Sequence, residues 1–401
     1  MPSLANRGPF DSRPVAMDLF CGAGGMSLGF EQAGFNVVAA FDSEQRHLDT
    51  HRLNFPKTQA HIADLSKVSG EDVLQTAGLA DQTLDVLFGG PPCQGFSLGG
   101  KRDLADPRNS LILHFARLLR DISPRYFVVE NVDGLLIGDA VKTLKSFKRR
   151  VRRAGYEVVE PIRILDAADY GVPQHRRRIF ILGYRDDLPA PAYPAPRGYL
   201  GPDGVEYFPN VWDAISDLPS INESLALIDG HKYVGTLGSP SLYASFLRGD
   251  VVDPSDKTEP RERNESGLTG CFRTTHSRKA VNRFAKTQQG SSELVSRYHR
   301  LDSEGLSSTL RAGTGPDHGS HTAPRPIHPV EPRCITVREA ARLHSFPDWF
   351  QFHSTRWHAF RQIGNSVPPR MARLVAEEVL QSLRIAPAIP HGKTGEKQNA
   401  A

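Results

Sequence analysis

The sequence has few of the residues that mark several common protein classes. Its 401 residues include only four cysteines, at positions 21, 93, 271 and 334. They are too few and too far apart for a disulfide framework or a Cys-x-x-Cys metal site. The chain has no run of about 20 apolar residues, and residues 1–13 lack the apolar segment of a signal peptide. We therefore expect a reduced cytoplasmic protein with no membrane span and no metal site.

The sequence also has little excess charge of either sign, with a net charge of +4. A small global value says little about partners, but its distribution along the chain is informative. Residues 186–260 contain 4 Lys/Arg against 12 Asp/Glu, whereas residues 261–333 contain 12 against 7 and five histidines. This asymmetry predicts that a polyanion contacts the second stretch.

The first half of the chain alternates short β-rich runs with helical patterns. The runs cover residues 15–20, 36–41, 84–88, 126–130, 156–160 and 179–184. This alternation predicts an α/β fold with a doubly wound parallel sheet. Val141, Leu144, Phe147 and Val151 have helical spacing and predict an amphipathic crossover helix. Its many Lys and Arg residues indicate a solvated face, with a nucleic-acid site as the less favoured alternative.

Prolines and glycines end the alternation at residues 189–202 and indicate a domain boundary. A loop-rich region follows, and regular structure returns near residue 333. Thr336 and Glu339 have the spacing of a capping box, and Pro368-Pro369 predicts the start of a last helix. The expected divisions are a catalytic domain (1–185), a second smaller domain (186–332), a return segment that completes the first domain (333–386) and a disordered tail (387–401).

A glycine-rich turn, DLFCGAGGMSLGF at residues 18–30, follows the first β-rich run. In doubly wound sheets, nucleoside cofactors approach the backbone at such turns. The dinucleotide fingerprint would require glycine at Ser27, which counts against a nicotinamide dehydrogenase. Asp42 ends the second run and suits ribose hydroxyls, while Asp64 suits an adenine amino group. Each piece alone is explained equally well by a tight turn and two exposed acids.

Cys93 lies in a stiff polar loop, GGPPCQGFS at residues 89–97, directly after a β-rich run. Pro91 and Pro92 fix φ and remove two amide donors. A lone cysteine is usually a small buried apolar residue, but this setting is typical of a nucleophile. A reactive thiolate needs nearby positive charge, which Arg176 and Arg178 can supply. A basic loop that only contacts phosphate is an equal alternative for either arginine.

Glu130 ends an otherwise apolar run in the segment VVENV. Partial desolvation at this sheet edge would raise its pKa and let the carboxyl group share a proton with a ring nitrogen. A strand-end glutamate without a chemical role is the commoner case. The order of the glycine turn, the cysteine loop and this acid on successive runs favours chemistry.

These motifs resemble the C5-cytosine DNA methyltransferase family of the bacterial restriction-modification type over nearly the whole chain. The matching segments are residues 18–34, 91–94, 130–132, 174–178, 333–339 and 364–368. The resemblance implies a Rossmann-like S-adenosylmethionine-dependent methyltransferase sheet with a smaller target-recognition domain. His175 and Arg177 stand where the family often has Arg and Glu. The family usually has Glu followed by a bulky apolar residue at the end of the second β-rich run, where this chain has Asp42-Ser43-Glu44. Asp42 and Glu44 therefore both stay open as the ribose ligand.

The resemblance also implies roles for individual residues. Cys93 would add to carbon 6 of a flipped cytosine while Glu130 hydrogen-bonds ring nitrogen 3 and the amino group. Arg178 would hold the cytosine carbonyl and Glu130, and Arg176 the thiolate or a phosphate. Besides Asp42 and Asp64, the implied S-adenosylmethionine contacts are Asp18, Phe20, Gly22, Ala23, Gly24, Gly25, Leu65, Pro91, Asn365 and Ser366.

Double-stranded DNA is the implied partner, read by residues 186–332. A solvated surface charge is the commoner explanation for any single basic residue there. The candidate contacts are Gln94, Ser97, Arg273, Arg278, Lys279, Arg283, Lys286, Arg297, Thr309 and Arg311. A monomer associated with the nucleoid and a cognate restriction endonuclease are further expectations. The alternatives that stay open are a related methyltransferase acting on transfer RNA and a catalytically silent DNA-binding relative.

Replacing Cys93 with Ser tests the proposed nucleophile. Because a hydroxyl at this position is a far weaker nucleophile than a thiolate, the variant is expected to lose methyl transfer. Binding of S-adenosylmethionine, measured by calorimetry, should change little. Equal turnover in the variant and the unaltered chain would remove this cysteine from the chemistry.

Overall fold

The structure is a computed structural model that describes residues 13–80, 82–92, 110–221, 227–228, 230–259, 261, 267–273, 275–313 and 325–386. Cys93, Gln94 and Ser97 lie outside these residues, and so does the predicted tail at 387–401. None of the helices in the described ranges combines the length and the apolar character needed to cross a bilayer.

A mixed eight-stranded sheet forms the centre of the first half, in the order β3-β2-β1-β4-β5-β8-β6 with β7 paired to β8. Strands β1 to β5 are parallel. The α/β expectation is therefore confirmed. The strands are β1 (Val15–Leu19), β2 (Asn36–Asp42), β3 (Gln59–Ile62), β4 (Val86–Gly89), β5 (Tyr126–Asn131), β6 (Tyr156–Val158), β7 (Arg163–Asp166) and β8 (Arg177–Arg185).

The expectation of a wholly parallel sheet is wrong for its last strands. β8 pairs antiparallel with β5, β6 and β7. The cause is the short connection, since a parallel return needs a crossover of a dozen or more residues, usually a helix. Between β7 and β8 the chain has only a short 3-10 helix at Ala167–Tyr170. The strand order still reverses between β1 and β4, and this is where ligands bind in open α/β sheets.

Helices cover both faces of the sheet, because the strands have apolar residues on both faces. Met17 and Leu19 of β1 belong to one buried cluster and Ala16 to the other. The first cluster includes residues of α3 (Gly70–Thr76), α4 (Leu111–Ile122) and the predicted crossover helix α5 (Ala140–Arg153). The second includes residues of α1 (Gly25–Ala33) and α11 (Pro369–Ile385). A further helix, α2 (Gln45–Asn54), connects β2 to β3.

A third apolar cluster joins the middle of the chain to the return segment. It combines Tyr243 and Leu301 with Ile335, Phe346 and Ile363. Part of the return segment thus packs on the middle region, while α11 packs on α1. The remaining elements are β9 (Tyr199–Leu200), β10 (Glu206–Tyr207), α6 (Val211–Ile215), β11 (Leu227–Ile228), β12 (Lys232–Tyr233), α7 (Leu242–Arg248), α8 (Arg278–Lys286), α9 (Val337–Leu343) and α10 (Arg356–Asn365).

Buried arginines connect these two parts of the chain. Arg342 of α9 is fully buried, and its guanidinium donates to Asp217 at 2.5 Å and to Asp348 at 2.7 Å. Glu339 accepts from buried Arg333 at 2.7 Å and forms the predicted capping box with Thr336. The buried guanidinium groups of Arg342 and Arg333 are therefore both paired with acids, which compensates for the cost of burying their charge.

Replacing Asp217 with Asn should destabilise the fold, because it leaves Arg342 and Arg248 short of a buried countercharge. Breaking such a pair costs about 3 to 5 kcal/mol. The unfolding midpoint, measured by calorimetry, should drop by several degrees. The matched control is Asp139→Asn, whose partner Lys142 is exposed; equal midpoints for the two variants would contradict this role.

Candidate active site

The glycine-rich turn between β1 and α1 has left-handed backbone at alternate residues. Phe20 has φ 65°, Gly22 has φ 55° and Gly24 has φ 101°. A side chain at Gly24 would place its Cβ 2.3 Å from the Phe55 ring, so this position requires glycine. A Cβ at Gly22 would meet no atom within 4 Å. The turn therefore has open space in front of Gly22 and packed atoms beside Gly24.

Asp42, at the end of β2, fixes this turn. Its carboxylate accepts from the backbone N–H of Gly22 at 2.9 Å and of Glu44 at 2.8 Å. Burial opposes the charge, but hydrogen bonds from His47 and the backbone lower the pKa of Asp42 overall. Glu44 instead pairs with Arg46 at 2.8 Å and is about half exposed. Of the two candidate ribose ligands, only Asp42 contacts the turn.

Three polar residues lie behind the turn in the protein interior. Ser27 donates to Asp18 at 2.6 Å and lies 3.0 Å from Nε2 of His51. Burial raises the pKa of Asp18 well above its usual range and lowers that of His51 to about 3. The side chain of Asp18, which the sequence assigns to the cofactor, is therefore engaged by Ser27 in the interior. In the sequence, Ser27 is notable only because the dinucleotide fingerprint would require glycine at this position.

The return segment packs directly on the turn. A Cβ at Gly25 would lie 2.4 Å from the carbonyl oxygen of Val367 and 2.9 Å from Cβ of Ser366. The Ser366 hydroxyl donates to the Gln362 carbonyl at 2.6 Å, so it is engaged within its own helix end. Asn365 is exposed. Residues 366–367 thus contact the glycine turn, and of the predicted pair only Asn365 has an exposed side chain. Closure of a cofactor pocket by Asn365 and Ser366 stays a prediction.

The remaining predicted cofactor residues differ in exposure. Asp64 is about half exposed and accepts from Ser66 and Lys67, and these bonds lower its pKa to about 2. The Leu65 side chain is buried in the core, and its carbonyl accepts from Arg117 at 2.9 Å. Ala23 is also buried.

Glu130 and Arg178 form an ion pair at the carboxyl end of β5. Nε of Arg178 lies 3.0 Å from Oε1 of Glu130. A Cβ at Gly90 would lie 3.0 Å from Oε2 of Glu130, so the carboxyl group is beside the start of the cysteine loop. Burial raises the pKa of Glu130, while Arg178 and Arg176 oppose the rise. The direction of this shift agrees with the expectation from the sequence.

Asn131 holds the first part of the cysteine loop. Its side-chain amide donates to the Pro91 carbonyl at 3.1 Å, and its Oδ1 accepts from the N–H of Val132 at 2.9 Å. Pro91 is buried and Pro92 is exposed. In the sequence, Asn131 is recognisable only as part of a motif, which does not assign it this role. A buried amide in an apolar strand is the signal that could have identified it.

The segment 174–178 joins three distant parts of the chain. Gln174 is buried; its Oε1 accepts from the Leu310 N–H at 3.0 Å and its Nε2 donates to the Leu343 carbonyl at 3.1 Å. Nε2 of Gln174 also lies 3.0 Å from Nδ1 of His344, whose Nε2 lies 2.9 Å from the Ser366 carbonyl. No pattern in the sequence points to His344. This buried histidine connects the arginine motif to the return segment.

Arg176 is buried rather than exposed to solvent, and its expected contact with the Cys93 thiolate or a phosphate stays a prediction, because Cys93 lies outside the described residues. Arg176 is 1% exposed, and its two Nη groups donate to the carbonyls of Leu310 at 3.2 Å and Gly364 at 2.9 Å. His175 and Arg177, which depart from the family pattern, lie near acids: His175 is 3.0 Å from Asp166, and Arg177 is 4.0 Å from Asp133. Each of the two departures thus has an acid nearby.

The predicted DNA contacts fall into two groups. Arg283 is paired with buried Glu293 at 3.0 Å, and the Thr309 hydroxyl donates to the His175 carbonyl at 2.7 Å. These two side chains are engaged by the protein. The exposed candidates are Arg273, Arg278, Lys279, Lys286, Arg297 and Arg311.

Comparisons with known proteins agree on one family. The sequence model for C-5 cytosine-specific DNA methylase matches residues 15–381. Type II methyltransferase M.XorII of Xanthomonas oryzae pv. oryzae is 47% identical over 94% of this chain and 87% of its own length. Type II methyltransferase M1.HphI of Haemophilus parahaemolyticus is 34% identical over 91% of this chain and 86% of its own.

Solved structures show the same fold. A chain described as a DNA modification methyltransferase encoded within a prophage (E. coli) has a TM-score of 0.76 at 32% identity, covering 92% of this chain and 99% of that one. The S. pombe Dnmt2 methyltransferase has a TM-score of 0.57 at 16% identity, covering 93% of this chain and 100% of that one. The second likeness concerns the fold alone.

Replacing Gly25 with Ala tests the contact between the turn and the return segment. The added Cβ would displace residues 366–367, so binding of S-adenosylmethionine should weaken by roughly tenfold, about 1.4 kcal/mol. Gly78→Ala is the control: its φ of 66° strains an added side chain, but a Cβ there meets no atom within 4 Å and the position lies outside the turn. Fluorescence titration of both variants is the measurement; equal affinities would show that this contact does not shape the site.

Proposed function

The chain belongs to the C-5 cytosine-specific DNA methylase family, and we propose that Cys93, Glu130 and Arg178 act on its cytosine. As a DNA (cytosine-5-)-methyltransferase, it uses DNA as substrate and S-adenosylmethionine as methyl donor. Its similarity to Type II methyltransferases makes it an enzyme of the restriction-modification type.

The residues at the glycine turn fit S-adenosylmethionine. Open space at Gly22 lies beside the charged carboxylate of Asp42, and Phe20 is half-buried next to it. When bound, this cofactor supplies an electrophilic methyl group on a sulfonium. In the proposal, Asp42 accepts from the ribose hydroxyls through its remaining lone pairs. Asp64 takes the adenine amino group, and Asn365 closes the pocket from the return segment.

The pair of Glu130 and Arg178 is the observation that carries the proposal. Carbon 5 of cytosine is a poor nucleophile until the ring becomes electron-rich. The Cys93 thiolate bonds to carbon 6, and Glu130 hydrogen-bonds ring nitrogen 3 and the amino group as charge develops there. The raised pKa of Glu130 favours the protonated carboxyl group that this bond needs. Carbon 5 then accepts the methyl group, and loss of its proton with release of the thiolate restores the ring.

The positions of the neighbouring residues support this assignment. Arg178 holds one oxygen of Glu130, and Gly90 lies beside the other. The Pro91 carbonyl is fixed by Asn131. Cys93 follows Pro91 by two residues, so chain connectivity limits the distance between their Cα atoms to about 7 Å. Both oxygens of Glu130 are thus near the segment from which the thiol extends.

The target base must leave the duplex before carbon 6 can be attacked. Extrusion costs on the order of a few kcal/mol, because the base must be unstacked and unpaired. In the proposal, residues 186–332 read the DNA sequence, with exposed cations in 273–311 as its contacts. A monomeric enzyme associated with the nucleoid, and a cognate restriction endonuclease acting on the same site, complete the proposal.

Labelled S-adenosylmethionine tests the proposed substrate. The chain is incubated with unmethylated duplex DNA and, separately, with transfer RNA, and the modified base is mapped. The expected result is 5-methylcytosine at one short DNA sequence and no label in transfer RNA. Label in transfer RNA alone would support the related RNA-modifying activity instead, and label in neither would contradict both.

Replacing Glu130 with Gln should lower the rate of methyl transfer by about 10²- to 10⁴-fold, because proton sharing with ring nitrogen 3 is lost. Binding of S-adenosylmethionine should stay the same, since Glu130 does not contact the glycine turn. The control is Glu157→Gln, whose exposed partner is Arg152. Single-turnover rates decide: similar values for the two variants would remove Glu130 from the mechanism.

A further inference from the structure

Two adjacent apolar side chains extend into solvent from a turn in the recognition region. Leu294 is 94% exposed and Val295 is 70% exposed. Such exposure leaves nearly all of their apolar surface in water, which is unfavourable for the isolated chain. The neighbouring Arg297 has φ 58°, a left-handed conformation that costs a non-glycine residue energy. The turn is therefore a feature that folding alone does not favour.

Glu293 holds this turn in one shape. It is 3% exposed, and its carboxylate accepts from the N–H of Val295 at 3.0 Å and from the N–H of Ser296 at 2.5 Å. Nε of Arg283 donates to the same carboxylate at 3.0 Å, and the Arg297 N–H donates to the Glu293 carbonyl at 2.8 Å. A buried acid thus fixes the backbone that points Leu294 and Val295 outwards.

Positive charge surrounds the turn. Lys279, Arg283 and Lys286 have the i, i+4, i+7 spacing that places them on one face of α8. Arg283, in the middle of this face, reaches Glu293 in the turn, while Lys279 and Lys286 are exposed on either side of it. Within the described part of the chain, no ion pair involves Lys279, Lys286 or Arg297.

A surface that combines free cations with a rigid apolar tip suits duplex DNA. Phosphates are bound by cations and N–H donors, whereas apolar side chains can read base edges, as with thymine methyl groups. We infer that Leu294 and Val295 contact base pairs of the recognised duplex and contribute to sequence discrimination, while Lys279 and Lys286 contact its phosphates. This inference rests on the proposed function and assigns residues to its DNA-reading surface.

The test compares Leu294→Ser with Val252→Ser, an apolar residue that is 81% exposed in the acid-rich stretch 186–260. Each variant is titrated, at several salt concentrations, with a duplex containing the mapped methylation site and with one lacking it. Leu294→Ser should bind the site duplex about tenfold more weakly, with unchanged binding of the other duplex. Lys279→Ala should weaken both duplexes similarly and reduce the salt slope by about 1.

The outcomes separate this inference from the proposed function. If the unaltered chain methylates DNA and Leu294→Ser behaves like Val252→Ser, the base contact is overturned and the proposed function stands. If Leu294→Ser changes only the molar mass measured by sedimentation, the tip contacts a second copy of the chain. If it changes only the binding of anionic lipid vesicles, the tip contacts a lipid surface. Either result overturns the inference. If the unaltered chain methylates no DNA, the proposed function fails first, and with it the basis for a base contact.

Discussion

The buried guanidinium of Arg176 is the constraint on which the active site depends. A desolvated cation is costly unless hydrogen bonds compensate for the lost water, and here the two Nη groups donate to the carbonyls of Leu310 and Gly364, while Nε has no partner among the described residues. Leu310 belongs to the proposed recognition region, 186–332, and Gly364 belongs to the return segment. Along the chain they are 134 and 188 residues away from Arg176. A different register of the three segments would remove these two hydrogen bonds. One side chain therefore aligns parts of the protein that the sequence separates widely.

The cofactor pocket and the cytosine site share this frame. From Gln174 the hydrogen bonds run through His344 to Ser366, whose neighbours pack against Gly25 in the glycine turn. Two residues beyond Arg176, Arg178 holds Glu130 beside the cysteine loop. A methyl donor and a base must meet within bond-forming distance, and enzymes gain much of their rate from such positioning. The proposed sites for the methyl donor and for the base are thus both connected to one five-residue segment, 174–178.

The sequence predicts the strands of the sheet more completely than it predicts the contacts of individual side chains. Every β-rich run proposed for the first half is a strand, since alternation and apolar content are local properties, but β3 (QAHI) and β7 (RILD) escape prediction because half of the residues in each are polar or charged. The exposure of an arginine is not local. Arg176 and Arg283 look like surface cations in sequence, and both are engaged by groups that folding brings to them. Asp42 and Glu44 are equivalent candidates in sequence, and only the contact with Gly22 separates them.

The most direct measurement of the central claim uses a duplex in which 5-fluorocytosine replaces the target cytosine. Fluorine at carbon 5 cannot leave as a proton does, so the bond between sulfur and carbon 6 should persist after methyl transfer. Incubation with S-adenosylmethionine should yield a denaturation-resistant adduct, and peptide mass mapping should place it on Cys93. The absence of an adduct from a chain that methylates the normal duplex, or an adduct at a different residue, would contradict the account.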